Sequence, residues 1–141
     1  VRPTEGGFLP LFWPFRSTSG KGDALEDRLM ALGGVLQMPG DKFPQTNVRM
    51  TAGQYNWIIG RMNESTSGQT MREEMSDLVT GPGFDLLDAR DQIEAIRKIR
   101  SRRWKDATEA ALEEFPELNR AVTRDREVRA VRGTSPPAEV E

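Results

Sequence analysis

From about residue 23 onward the apolar positions of this chain fall three and four residues apart, the spacing of one face of an α-helix; before that point they do not. Leu25, Leu29 and Leu32 predict a short helix over about 23–32, with Asp23 placed to cap it and Gly33-Gly34 to stop it. Residues 33–50 are punctuated by Met38-Pro39-Gly40-Asp41 and Phe43-Pro44 and read as turns. A second helix opens at Thr51, which with Gln54 fits the S/T-x-x-E/Q capping box, while Met50 and Tyr55 are spaced as a hydrophobic staple. Tyr55, Ile58, Ile59 and Met62 then form one stripe. A third helix starts at a second capping box, Thr70 with Glu73, carries Met71, Met75, Leu78 and Val79, and ends at Gly81-Pro82-Gly83.

The longest periodic stretch runs over about 88–115, capped by Asp88 with Asp91 three residues on. Ala89, Ile93, Ile96, Arg100, Trp104, Ala107, Ala111 and Phe115 are expected along one face, on a helix about 42 Å long. Pro116 ends or kinks it. Leu118, Ala121, Val122, Val128 and Val131 predict a weaker continuation to about residue 130, and Gly133-Thr134-Ser135-Pro136-Pro137 begins a polar tail. The first 22 residues follow another rule. Phe8-Leu9-Pro10-Leu11-Phe12-Trp13-Pro14-Phe15 is the most apolar window of the chain, yet its two prolines oppose both helix and sheet ladder, so it reads as an extended arm before a Ser17–Gly22 linker.

The expected fold is therefore all-α and elongated. It comprises an extended hydrophobic arm and linker (1–22), three short helices with turn-rich connections (23–80), a long charged helix kinked at Pro116 (84–132) and a polar tail (133–141). Neighbouring chains are expected to complete it, because a composition of 36% hydrophobic and 30% charged residues is lean for a self-sufficient core of 141 residues. No run of about 18 apolar residues is present to span a bilayer. Val1 is not preceded by a start methionine and no basic-then-apolar leader follows it, which reads as a fragment of a longer protein.

Candidate chemistry is thin. The chain has no His and no Cys, which removes the usual general base, Ser-His and Cys-His nucleophile pairs, and thiolate metal sites. Glu73/Glu74 and Glu113/Glu114 read as solvated helix faces. No catalytic site, metal or cofactor is expected. Two features invite contact instead. The arm side chains Phe8, Leu11, Phe12, Trp13 and Phe15 read as a docking anchor. The stretch 97–105 gathers Arg97, Lys98, Arg100, Arg102, Arg103 and Lys105 around Trp104 without an acid. Its six cations suit nucleic-acid phosphates. They suit helix pairing better, because acidic Asp106, Glu109, Glu113, Glu114 and Glu117 follow and the chain turns basic again from Arg120. A net charge of -2 gives no whole-chain attraction to nucleic acid.

Three segments together resemble the C-terminal regions of large bacteriophage virion proteins, those ejected with the DNA or running through the tail as tape measures. They are Phe12-Trp13-Pro14-Phe15-Arg16-Ser17-Thr18 with the Leu-rich helix after it; Arg49-Met50-Thr51-Ala52-Gly53-Gln54-Tyr55; and Leu78-Val79 through Gly83-Phe84-Asp85-Leu86-Leu87 to Phe115-Pro116-Glu117-Leu118. The resemblance covers about residues 8–120 and departs from the family pattern at Gly53, inside the second helix, and in the length of the linker after that helix. It implies a structural part in a virion, acting on other copies of itself and on portal, tail or ejection proteins. On that reading the arm and Trp104 are protein-binding. The other reading, from a different class, is a nucleic-acid-binding helical module using residues 97–105.

Overall fold

In a computed structural model of the chain, residues 24–32, 39–65 and 68–133 are described. Their regular elements are α1 (Ala24–Ala31), α2 (Ala52–Asn63), α3 (Met71–Val79), a 3₁₀ turn (Phe84–Leu86), α4 (Ala89–Glu114) and α5 (Pro116–Gly133). Extended pairing among these residues is limited to one isolated antiparallel bridge between Lys42 and Arg49. The fold class is all-α, as the periodicity requires. The 1–22 arm and the tail beyond Gly133 lie outside the described residues, as do Asp23 and Gly33-Gly34 at the ends of α1.

The helices start where their caps dictate. At α2 the Thr51 hydroxyl accepts from the Gln54 amide (3.1 Å) and the Gln54 side chain accepts from the Thr51 amide (3.0 Å). Thr70 and Glu73 repeat that reciprocal arrangement at α3, at 3.1 and 2.9 Å. At α4 the Asp88 carboxylate accepts from the Asp91 amide at 2.9 Å. Each device satisfies donors that a helix start leaves without an intrahelical partner.

The chain forms two compact units. The first takes the described residues up to Pro39 with Met62–Arg103. In it α1 packs on α3 and α3 on the 3₁₀ turn, burying Leu25, Leu29, Met71, Met75, Val79, Phe84, Ile96 and Ile99. Arg28 pairs with Asp85 and lies 5.5 Å over the Phe84 ring, and the Gln92 side-chain amide donates to the Phe84 carbonyl at 3.0 Å. These contacts fix the turn that leads into α4.

The second unit takes Gly40–Arg61 and the chain from Trp104 onward. Here a tight loop folds Phe43 inward. The Phe43 amide donates to the Val48 carbonyl (2.9 Å), the Thr46 hydroxyl donates to the Phe43 carbonyl (2.9 Å), and Gln45 takes the left-handed conformation the turn needs (φ 60°). Phe43, Tyr55, Ile58, Ala107, Thr108, Ala111, Leu118 and Val122 are buried. Trp57 meets Phe115 edge-to-face at 5.6 Å, and Arg126 lies 5.4 Å over Phe43. Thr108 can be buried inside α4 because its hydroxyl bonds back to the Trp104 and Lys105 carbonyls, both at 2.9 Å.

Two features of the long helix differ from the expectation. Its buried line is rotated: it runs through Gln92, Ile96, Ile99, Arg103, Ala107 and Ala111, whereas Arg100, Trp104 and Phe115 are half-buried and Ala89 is exposed. And 84–132 is not one helix. Phe84–Leu86 is a separate turn, while the chain breaks at Phe115, where Pro116 was expected to end or kink the helix, and α5 begins with Pro116. The break is mild and repaired. Proline has no N–H to offer the Leu112 carbonyl four residues back, and the Asn119 side-chain amide donates to that carbonyl instead, at 3.2 Å. The Phe115 and Asn119 amides keep helical bonds to Ala111 (2.9 Å) and Phe115 (3.0 Å) across the junction. Asn119→Ala should therefore lower stability by about 1 kcal/mol in urea denaturation, the usual worth of one internal hydrogen bond; an unchanged midpoint would show that water satisfies the Leu112 carbonyl equally well.

Candidate functional site

The basic stretch of α4 was the strongest site signal in the sequence, and the structure separates its members. Arg97, Lys98, Arg102 and Lys105 are exposed, Arg100 is half-buried, and Arg103 is only 4% exposed. Burial pushes the Arg100 guanidinium below its ordinary pKa, and the neighbouring Arg97 charge adds to the shift.

Arg103 is bonded within the chain. Its Nε donates to Glu74 Oε1 at 2.9 Å; Nη1 donates to the carbonyls of Met62 (3.2 Å) and Glu64 (2.9 Å); Nη2 donates to the carbonyl of Gln69 (2.6 Å). Four bonds thus occupy a planar fork that has five N–H donors. Its targets are the end of α2, both sides of the connection to α3, and α3 itself. Gly68 supplies the positive φ (92°) that lets the chain turn just before Gln69. Arg102 pairs with the same Glu74 carboxylate from the outside. The pair Glu73/Glu74, read as solvated, is therefore split: Glu73 is exposed and caps α3, while Glu74 is half-buried and receives two guanidinium groups. Burial raises the Glu74 pKa, but hydrogen bonds from Arg102 and Arg103 and their charges outweigh it and hold the carboxyl below its ordinary value of 4.5. Glu113 and Glu114 are exposed, as expected.

The residue called for protein binding in the same stretch, Trp104, has part of its surface covered within the chain. Its ring meets Tyr55 of α2 edge-to-face at 6.3 Å. The uncovered part lines an open recess of about 350 Å³ with Pro44, Gln45, Lys105, Thr108, Glu109 and Arg126. Burial in this unit, with Asp41 nearby, raises the Tyr55 pKa above 10.0, so the phenol stays neutral. Phe8, Leu11, Phe12, Trp13 and Phe15 lie outside the described residues. Among the described residues no group of three or more acidic side chains converges as metal ligands, and no helix is long and apolar enough to cross a membrane.

Sequence reasoning missed Glu74, Gln69 and the Met62 and Glu64 carbonyls as a set. The one available signal was periodicity: Arg103 falls four residues before Ala107 and four after Ile99, on the line that proved buried. Two outcomes test the assignment. Arg103→Ala should cost about 3–5 kcal/mol in urea unfolding, because it leaves three carbonyls without their donor and Glu74 with Arg102 alone, whereas Arg102→Ala should cost about 0–1 kcal/mol. Because the folded pKa of Glu74 lies below the unfolded one, its contribution is complete above pH 4.5 and is lost as the pH falls through the lower, folded value. The acid limb of the wild-type stability curve should accordingly be steeper than that of Glu74→Gln.

Comparison of the chain with protein-family models, with curated proteins and with solved structures found no match.

Proposed function

We propose that this chain is a non-catalytic helical building block that works through protein–protein contacts, as a structural component of a bacteriophage virion of the DNA-ejection or tail tape-measure type. Its partners on this reading are further copies of itself and neighbouring portal, tail or ejection proteins. The virion assignment rests on the resemblance of the three sequence segments. The contact mode rests on one structural observation: Arg103 of the basic stretch is buried as an internal tie, with Glu74 and three carbonyls as its partners.

That observation weighs against the nucleic-acid reading. Phosphate binding draws on cations that can shed counterions on the surface. Arg103 is removed from that set, Arg102 shares its charge with Glu74, and Glu94, Asp106 and Glu109 flank what remains of the exposed face. A half-open Trp104 beside a recess suits a protein contact, since a large aromatic that enters a partner's pocket is the usual energetic centre of an interface.

The experiment is a direct comparison. The full chain is followed by sedimentation velocity, and in parallel titrated against a labelled DNA duplex at about 0.05 M salt, where screening is weak. Assembly without DNA binding is expected. Trp104→Ala should weaken assembly by more than Arg102→Ala, with circular dichroism confirming that both variants keep their helices. Full assembly of Trp104→Ala together with DNA binding that Arg102→Ala abolishes would reverse the reading in favour of nucleic acid.

A further inference from the structure

The second unit carries two exposed charged stripes of opposite sign. On α4, Asp106, Glu109 and Glu113 recur at i, i+3 and i+7, and all are exposed. They lie across the helix from buried Ala107, Thr108 and Ala111. On α5, Arg120, Arg124, Val128 and Val131 recur at i, i+4, i+8 and i+11, across the helix from buried Leu118 and Val122. Val128 is 43% and Val131 71% exposed, so the basic stripe ends in an apolar patch, bordered by Glu127 and Arg132.

Some charges are already used inside the unit. Glu109 reaches Arg126 at 3.8 Å, and Asp125 holds Arg129 at 2.8 Å. Among the described residues no ion pair reaches Asp106 or Glu113 on one stripe, or Arg120 or Arg124 on the other. Each stripe faces away from the core that the two helices share, so the chain cannot lay one on the other. Another molecule can.

We propose that the Arg120–Val131 face of α5 docks on the Asp106–Glu113 face of α4 in a second copy of this chain. The match is between unlike surfaces, so the contact is head-to-tail: every copy keeps one free stripe of each sign, and association proceeds to a ring or a filament instead of stopping at a symmetric pair. Charge complementarity selects this occupant. A symmetric α5–α5 contact would bring Arg120 and Arg124 toward the same residues of the other copy, with two small valines to offset the repulsion. Exposed ion pairs contribute little singly, so each contact is weak and salt-sensitive, and closure or avidity in a larger assembly carries the structure. This inference rests on the reading of the chain as a self-assembling component and names the surface that assembly uses.

The test uses two charge-reversed full-length chains. One carries Arg120→Glu with Arg124→Glu; the other carries Asp106→Lys with Glu113→Lys. Wild-type protein should sediment as oligomers at about 0.05 M salt and shift toward monomer at about 0.5 M. Each reversed chain alone should associate at least about tenfold more weakly. Mixed together they should associate again, because one variant then carries two acidic stripes and the other two basic ones, so each stripe meets one of opposite sign; either variant added to wild type should instead cap wild-type oligomers and shorten them. A chain carrying all four reversals should recover wild-type association, since its stripes are again opposite in sign; this rescue also excludes misfolding as the cause of the losses. Reversed chains that assemble as well as wild type would overturn the proposed surface while leaving self-assembly standing. A wild-type chain that stays monomeric at low salt and about 100 µM would overturn both.

Discussion

A guanidinium taken out of water costs several kcal/mol unless each nitrogen it buries finds an acceptor. Arg103 meets that condition through elements distant from it in sequence: the last turn of α2, the connection that follows it, and the first turn of α3. The consequence is constraint. The connection between α2 and α3 must place the carbonyls of Glu64 and Gln69 around one side chain, Gly68 must turn just before the second of them, and α3 must present Glu74 at the same point. The apolar contribution to this unit is spread over methionines, leucines and isoleucines, which pack well but specify geometry weakly because their shapes adapt. A directional fork at the centre supplies what they lack. Buried charge is therefore used here to choose an arrangement more than to deepen its stability.

The second unit solves a different problem, that of a helix rich in alanine and charge. Ala107 and Ala111 bury little surface, but they allow close approach, and the bulk is supplied from neighbouring segments: Tyr55 and Trp57 of α2, Phe43 from the tight loop, and Leu118 and Val122 of α5. The proline between α4 and α5 looks from its chemistry like a fault in this plan. With Asn119 replacing the missing donor, it becomes a defined joint that costs little backbone hydrogen bonding. What the helices turn outward is then charge sorted by sign along the chain, acidic near the end of α4 and basic along α5. On the proposed reading, that outer pattern is the surface through which copies meet.

Much of this was written in the residues one after another. Helix positions followed from apolar spacing, and helix starts from the Thr51/Gln54 and Thr70/Glu73 pairs and from Asp88, because capping is a local exchange between a side chain and amides three residues away. The proline break is local in the same sense. The lack of His and Cys narrows the available chemistry from the sequence alone. Tertiary structure alone decided which face of α4 is inside. A shift of the buried line by one residue exchanges Arg100 and Trp104 for Ile99 and Arg103, and no local rule tells which of two arginines goes inside on a helix whose apolar stripe is this thin. What separated them was a carboxylate 29 residues away and three carbonyls on another part of the chain, whose convergence no spacing can express. The same reason turned Glu74 from a solvated acid into an anchor and the six-cation stretch from one surface into an inside and an outside.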